Sequence, residues 1–461
     1  MITLREKLGY GFGDAASSMF WKLFSMYLMF FYTDIFGMEA AVVGTMFLIT
    51  RVWDSFLDPV AGILADRIRT RWGRFRPCIL FLALPFAVAG ILTFHTPGLS
   101  PAGKVIYAYA TCSLAMILYS GINVPYAALL GVISPEPKDR NILSTFRMSF
   151  AYIGSLVMLL LFMPAVNHFS GEAATLHDRR HGWLTAVTLT ALLSAILFLL
   201  CFAFTRERVK PVEGKPAPLK NDLRDLLKNR PWTILLGAGI SALLFNSVRD
   251  GAALYYFKYC VREELFGTVS ILHIPFVLSG LYLALGQAGG LAGVILAAPL
   301  SNRIGKRRTC TGAMAVATLL SLLFFIADSH SLTLIFTLQA LISLCAGSIF
   351  PLLWSMYADC ADYSEYKTGN RATGLLFSTS SMSQKLGWAI GTAMTGWLLT
   401  RFGFAANQSQ SAETLRGIKM CMSLIPAIGA LLSVIFIHLY PLTEKRLKTI
   451  TTELEKRRLR R

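Results

Sequence analysis

The sequence predicts an all-α membrane protein, with twelve transmembrane helices in two six-helix bundles. Three observations predict it. Of 461 residues, 54% are hydrophobic and 15% charged, where a soluble domain carries roughly 25% charge, and the mean hydropathy is +0.55. Apolar runs approaching or exceeding the roughly 20 residues that cross a bilayer recur along the whole chain. The single long polar interruption, Thr205–Trp232, leaves six such runs on each side.

The first run, 10–33, starts directly after MITLREK, is long and aromatic, and lacks the small-residue site at which a secretory signal is cut, so it reads as a retained span. The second, 40–65, is apolar except for RVWDSFLDPV, Arg51–Val60. Spans three to six follow at 78–96, 105–133, 142–167 and 183–204, and complete a bundle over 1–205. A Pro/Gly/Lys linker leading into a short amphipathic segment forms the middle loop, 206–231. Spans seven to twelve, at 232–257, 270–300, 310–327, 332–357, 376–400 and 418–440, make a second bundle over 232–442. The tail, 443–461, reads as a basic helix suited to water or to anionic lipid. The halves echo one another, because GILADRIRTRWGRFRP after span two is answered by APLSNRIGKRRT after span eight. Such repeats are a common plan for placing a site between two halves.

A net charge of +18 would suggest nucleic acid in a soluble chain, but its placement decides otherwise. Arg67, Arg69, Arg71, Arg74 and Arg76 follow span two, Arg303, Lys306, Arg307 and Arg308 follow span eight, and Arg206 to Arg230 lie in the middle loop. Basic loops on one side orient both termini and the middle loop to the cytoplasm, giving a multi-pass protein of a bacterial inner (plasma) membrane with the lipid bilayer, not nucleic acid, as its surroundings. The eight cysteines stand singly, so no disulfide framework or zinc site is indicated. No G-x-x-x-x-G-K-[ST] loop is present, which argues against ATP as the energy source.

An ionisable group at mid-bilayer costs about 2.5 to 3.5 kcal/mol on insertion scales and usually faces a bundle interior or wet cavity. Here these are Asp14 and Lys22 in span one; Arg51, Asp54 and Asp58 in span two; Arg147 in span five; Arg249, Asp250 and Lys258 in span seven; and Lys385 in span eleven. Asp54 and Asp58 are separated by about 400° of helix, so they share a face one turn apart. Two acids so close in a low dielectric repel, and either one holds a proton or a cation sits between them. Their oxygens suit H+, or Na+ as a metal ligand set if the coupling ion is sodium. A static ladder with Arg51 is the competing arrangement. Pro59 has no N–H, which leaves a carbonyl one turn back as a further ligand.

These residues carry a resemblance. GYGFGD and YLMFFYTDIFG in span one, RVWDSFLDP, GILADRIRTRWGRFRP, INVPYAALLG in span four, and ADCADYSEYKTGNRATG before span eleven, taken in order and spacing over the whole chain, are similar to the glycoside-pentoside-hexuronide:cation symporters. These are the melibiose permease group of the major facilitator superfamily. The resemblance implies the major facilitator fold and symport of a sugar or glycoside with H+ or Na+ by alternating access, with no cofactor and no enzymatic activity, in a chain working as a monomer. Asp54 and Asp58 match the paired acids of the coupling cation and Ser120 a hydroxyl assisting them. Asp14 matches an acid receiving sugar hydroxyls, Arg147 a sugar-binding arginine, and Lys385 a lysine near both sites. Tyr126 is placed to stack on a sugar or to pack. Gly62, Asp66, Arg67, Arg71 and Arg74 fall in the superfamily's gating motif.

Two departures from the pattern matter. Asn123 stands where melibiose permease has a further acid and Ala127 replaces an aromatic residue, which weakens the case for Na+ and for galactosides. Lys22 is an addition that pairs with an acid or favours an anionic sugar. Rival functions are a sugar-binding membrane sensor and a glycoconjugate-processing membrane protein. The second expects a catalytic grouping of residues, and the seven histidines are dispersed.

Overall fold

A computed structural model describes residues 2–67, 70–134, 137–171, 175–208, 229–265, 269–271, 274–368 and 373–459. Helix α1 (Leu4–Lys22) is started by a capping box, in which Glu6 N donates to Thr3 Oγ1 at 3.3 Å and Thr3 N to Glu6 Oε2 at 3.0 Å. The helix continues through two π-wound turns, Leu23–Tyr27 and Phe31–Ile35. Helices α2 (Ala40–Arg67), α3 (Arg76–Thr93), α4 (Pro101–Ile133), α5 (Pro137–Ser170) and α6 (Leu176–Phe204) follow, then α7 (Arg230–Tyr255), α8 (Leu278–Ile304), α9 (Lys306–Ile326), α10 (Leu332–Thr368) and α11 (Thr373–Arg401). Span twelve is α12 (Ala412–Met422) and α13 (Leu424–Leu439), broken at Ser423, and the tail forms α14 (Glu444–Leu459).

Among the described residues nine helical segments are long and apolar enough to cross a membrane. Helices α1, α2 and α11 fall outside that set although they have 19, 28 and 29 residues. They are the helices that carry Asp14 and Lys22, the Arg51–Asp58 group, and Lys385.

One boundary expectation is corrected. The run from 270 does not open span eight as a helix. Instead β1 (Val269–Ile271) pairs antiparallel with β2 (Ile274–Phe276) in the register Val269↔Phe276, and α8 starts at Leu278. A short β-branched run has no periodicity that separates strand from helix. Glu263 caps the true start, accepting from Ser279 N at 2.8 Å and Ser279 Oγ at 3.0 Å. Burial pushes the Glu263 carboxyl up, against these two donors, which pull it down.

The chain divides into two compact units. The first holds Met1–Glu213, Phe257–Ala284 and Gly396–Ser411; the second holds Gly214–Tyr256, Leu285–Thr395 and Ala412–Arg461. In the first, α1 packs on α5 and α6, α3 on α4 and α6, and α2 on α4. In the second, α13 packs on α7 and α9, and α9 on α10. Close crossing of α8 and α10 depends on absent side chains, because a Cβ at Gly293 would lie 2.0 Å from Leu344 O and one at Gly347 2.2 Å from Gly290 O. Small residues that let backbones meet replace the missing hydrophobic drive between helices in lipid.

The loop after α2 is built around an acid distant in sequence. Glu207 accepts from the N–H groups of Arg74, Phe75 and Arg76 at 2.8, 2.8 and 2.9 Å, at the start of α3 where helix N–H groups lack intrahelical partners. Gly73 makes this approach with φ +111°, and a Cβ there would sit 2.5 Å from Glu207 Cδ. Replacing Glu207 by Ala is expected to cost about 2 kcal/mol, the scale of a hydrogen bond to a charged group. Gly73→Ala is expected to destabilise as well. Both changes are read as lowered melting temperatures in detergent, with an unshifted Glu207→Ala melt counting against the loop's dependence on this acid.

Candidate functional site

A stripe of residues at helical spacing runs along α1: Tyr10, Asp14, Ser17 and Trp21. It faces a matching stripe on α4, made of Tyr119, Asn123 and Tyr126. Trp21 stacks on Tyr119 with ring centres 5.9 Å apart, Ser17 Oγ donates to Asn123 Oδ1 at 2.9 Å, and Tyr10 stacks on Tyr126 at 4.9 Å. Arg147 reaches in from α5, its Nε 3.2 Å from Asp14 Oδ2 and its guanidinium 5.4 Å over the Tyr126 ring. Three of the sequence-expected residues, Asp14, Arg147 and Tyr126, therefore touch one another, and Asn123 joins them through Ser17.

Tyr126 is fully buried, and its hydroxyl donates to the Tyr10 carbonyl at 2.7 Å. Between stacking on a sugar and packing, this geometry favours packing: the ring holds Tyr10 and supports the Arg147 guanidinium. Gly13 makes room for it, since a Cβ there would lie 2.4 Å from Tyr126 Cε2.

The second group lies between α2 and α4. Asp54 is 1% exposed and Asp58 half-buried. The Ser120 hydroxyl sits 2.7 Å from Asp54 Oδ1 and 2.8 Å from Asp58 Oδ1, both O–H···O lengths. A serine hydroxyl has one proton to donate, so at any instant it donates to one of the two carboxylates and places its oxygen against the other. Arg51, on the same helix and 4% exposed, stacks its guanidinium 4.3 Å over Trp21, so the acid pair adjoins the α1 stripe. Among the described residues no three His, Cys, Asp or Glu side chains cluster as a metal site.

The other expected residues are spread. Lys22 is half-buried in the last turn of α1, and Lys385 is half-buried on α11 in the second unit. Of the gating motif, the side chains of Asp66 and Arg67 lie outside the described residues. Arg71 stacks on Trp72 at 4.7 Å, and Arg74 donates its N–H to Glu207. Gly62 is not forced by crowding, since a Cβ there meets Val124 at an ordinary 3.6 Å.

One assembly escaped the sequence reading. Asp34, 1% exposed at the end of span one, accepts from Lys258 Nζ at 2.6 Å, from Thr33 Oγ1 at 2.7 Å and from the Tyr259 hydroxyl. Asn407 closes it: its amide donates to the Asp34 carbonyl, its Oδ1 accepts from Lys258 at 2.8 Å, and its N–H donates to Tyr259 at 2.9 Å. This clasp lies within the first unit and ties span one to the end of span seven and the segment after α11. Its sequence signal was an acid and a lysine, each inside an apolar run.

Comparisons with known proteins give the family and the fold. The sequence model of the MFS/sugar transport protein family matches residues 9–444. The inner membrane symporter YicJ of Escherichia coli (strain K12) is 37% identical over 459 residues, covering 98% of this chain and 95% of its own. The isoprimeverose transporter of Lactiplantibacillus pentosus is 35% identical, covering 95% and 89%. The crystal structure of the nucleoside transporter NupG superposes with a TM-score of 0.66 at 13% identity, covering 95% of this chain and all of that one, which is a likeness of fold.

Gly13→Ala is expected to displace the Tyr126 ring and with it Arg147, costing about 2 kcal/mol as overpacking of a tight site. The melting temperature of the purified protein checks this, and a melt equal to wild type would show that the α1–α4 contact is not tight.

Proposed function

The chain belongs to the MFS/sugar transport protein family, and on that premise we propose that it is a cation-coupled symporter of a sugar or glycoside working by alternating access. The observation that carries the coupling is the Ser120 hydroxyl held between Asp54 and Asp58. Two carboxylates one helical turn apart in a low dielectric repel, so the site gains from one further positive particle and loses when it leaves. The neutral Asn123, in place of an acid, removes a negative charge that a sodium site would use.

Asp14 and Arg147 form the sugar subsite. A carboxylate accepts from two hydroxyls and a guanidinium donates through five N–H groups, so an entering sugar replaces their mutual bond with bonds of its own. Tyr126 and Tyr10 hold Arg147 in position, and Asn123 adds an amide. Lys22, an addition to the pattern on the same helix as Asp14, is assigned to the same substrate. Ser120 and Asn123 are three residues apart on α4, so a shift of this helix is felt at both subsites. With the ion bound and the sugar absent, the polar groups of Asp14 and Arg147 lack the sugar hydroxyls that would complete them, and the helices resist closure. With both bound, its groups are satisfied and the helices rock. Gly62, Asp66, Arg67, Arg71 and Arg74 gate the cytoplasmic end. The Asp34–Lys258–Asn407 clasp holds the opposite end shut.

In proteoliposomes, Asp54→Asn and Asp58→Asn are expected to abolish accumulation of labelled glycoside driven by a proton gradient while preserving downhill counterflow. Accumulation equal to wild type in both variants would falsify the coupling assignment, and accumulation driven only by a sodium gradient would replace the proton with Na+. The clasp is checked through Cys260, which lies beside Lys258 and Tyr259 and is partly exposed. Asp34→Asn removes a charge-assisted bond of about 1.5 kcal/mol, so labelling of Cys260 by a membrane-impermeant maleimide should speed up roughly tenfold. An unchanged labelling rate would mean that the clasp does not restrain this end.

A further inference from the structure

The second unit contains a cavity of about 620 Å³ that the transport mechanism does not use. It lies where α9 begins, beside the end of α13 and the start of α14, on the end of the bundle that the charge pattern assigns to the cytoplasm. Three consecutive cations line it: Lys306, Arg307 and Arg308. They form the first turn of α9, a 21-residue helix whose N-cap, Gly305, supplies no side-chain cap. The partial positive charge of the helix terminus therefore adds to theirs.

The charges that face the cavity do not cancel. Lys306 is bound to Asp359 of α10 at 2.9 and 3.0 Å. Arg307 donates to the His438 carbonyl at the end of α13 and is fixed at the wall, while Arg308 is exposed. Asp359 thus offsets one of the three cations and the cavity keeps an excess of positive charge. The rest of the lining mixes the polar Thr311, His438, Tyr440 and Thr443 with the apolar Ile304, Met356, Leu442 and Leu447. The neighbouring surface is apolar, with Ile304 46%, Ile435 46% and Leu439 58% exposed, as expected of side chains that face acyl chains. A cationic cavity bordering an apolar, lipid-facing surface fits a phosphate ester that carries hydrocarbon. Basic pockets between spanning helices bind anionic headgroups in this way.

We propose that this cavity is a binding site for an anionic phosphate ester, presented by a phospholipid headgroup of the cytoplasmic leaflet. Arg307 and Arg308 hold the phosphate oxygens, the first turn of α9 adds its field, and the exposed Ile304, Ile435 and Leu439 take the start of the acyl chains. Because α14 also lines the cavity, through Leu447, with Thr443 just before it, a bound headgroup joins the tail helix to the loop between α8 and α9.

The full chain is titrated in detergent with dioleoylphosphatidylglycerol and, separately, dioleoylphosphatidylcholine, with bound lipids counted by native mass spectrometry. One phosphatidylglycerol is expected to bind roughly tenfold more tightly than phosphatidylcholine. The Arg307→Gln/Arg308→Gln double variant should lose that preference. Arg308→Glu alone, at an exposed position that leaves the fold intact, should weaken it in the same direction, whereas Arg303→Gln, outside the cavity, should leave it unchanged. Preference retained in both cavity variants overturns the site. Glycerol phosphate binding at these arginines with no preference between the two lipids overturns the lipid source.

Discussion

A carboxylate enclosed among apolar helices persists only if its oxygens are supplied with donors, and this constraint organises the first unit. Unsatisfied polar groups in a low dielectric cost several kcal/mol, and unpaired charges more. Asp14 is met by Arg147, Ser120 bridges Asp54 and Asp58, and Asp34 is met by a lysine, a threonine and a tyrosine. These solutions differ in kind. The Asp34 clasp gathers several donors on one acid, whereas the Asp54–Ser120–Asp58 bridge joins two acids through one hydroxyl. Two carboxylates one helical turn apart repel in a low dielectric, and the proposed coupling rests on that property.

That distinction explains what was legible in the sequence. Asp14, Asp54, Asp58 and Arg147 stand out because lipid-crossing runs exclude charge, so every exception is conspicuous; the structure brings Asp14 to Arg147 and the acid pair to Ser120. The neutral partners gave no such signal. Ser17 and Tyr10 are ordinary residues of a buried helix, and only their spacing from Asp14 and Trp21 marks the stripe. Glu207 was hidden in a basic polar linker, although it organises the loop after α2 through three backbone donors. Asp34 was written in the quoted span-one motif, but its partners come from the end of span seven and the segment after α11, a proximity no linear reading supplies. The hairpin at Val269–Phe276 was lost for another reason: short β-branched runs look the same whether they form strand or helix.

Helix α4 carries both polar contacts within one turn. Ser120 and Asn123 are three residues apart, one meeting the acids of α2 and the other Ser17 of α1. A helix hydrogen-bonded along its length moves the two side chains together, so a displacement of Ser120 against Asp54 and Asp58 also displaces Asn123 against the α1 stripe. The proposed coupling therefore needs no long relay of residues.

Span one has the complementary role, and its π-wound turns show how it serves two ends at once. Up to Lys22 it keeps the α-helical period, so Tyr10, Asp14, Ser17 and Trp21 stay on one line facing α4. A π turn holds an extra residue relative to an α turn and rotates the face presented by everything beyond it. Along a regular α-helix the step from Asp14 to Asp34 would advance about 2000° and leave the two acids about 200° apart. The extra residue in each of Leu23–Tyr27 and Phe31–Ile35 takes back about that rotation, so Asp34, inside the second π turn, returns toward the face of Asp14. Tyr27, the last residue of the first π turn, donates to the Leu159 carbonyl of α5 at 3.3 Å and anchors the rewound segment. A uniformly α-helical span would turn Asp34 to the opposite side, whereas the π turns keep both acids near one face of a single buried helix, Asp14 beside Arg147 and Asp34 at the clasp.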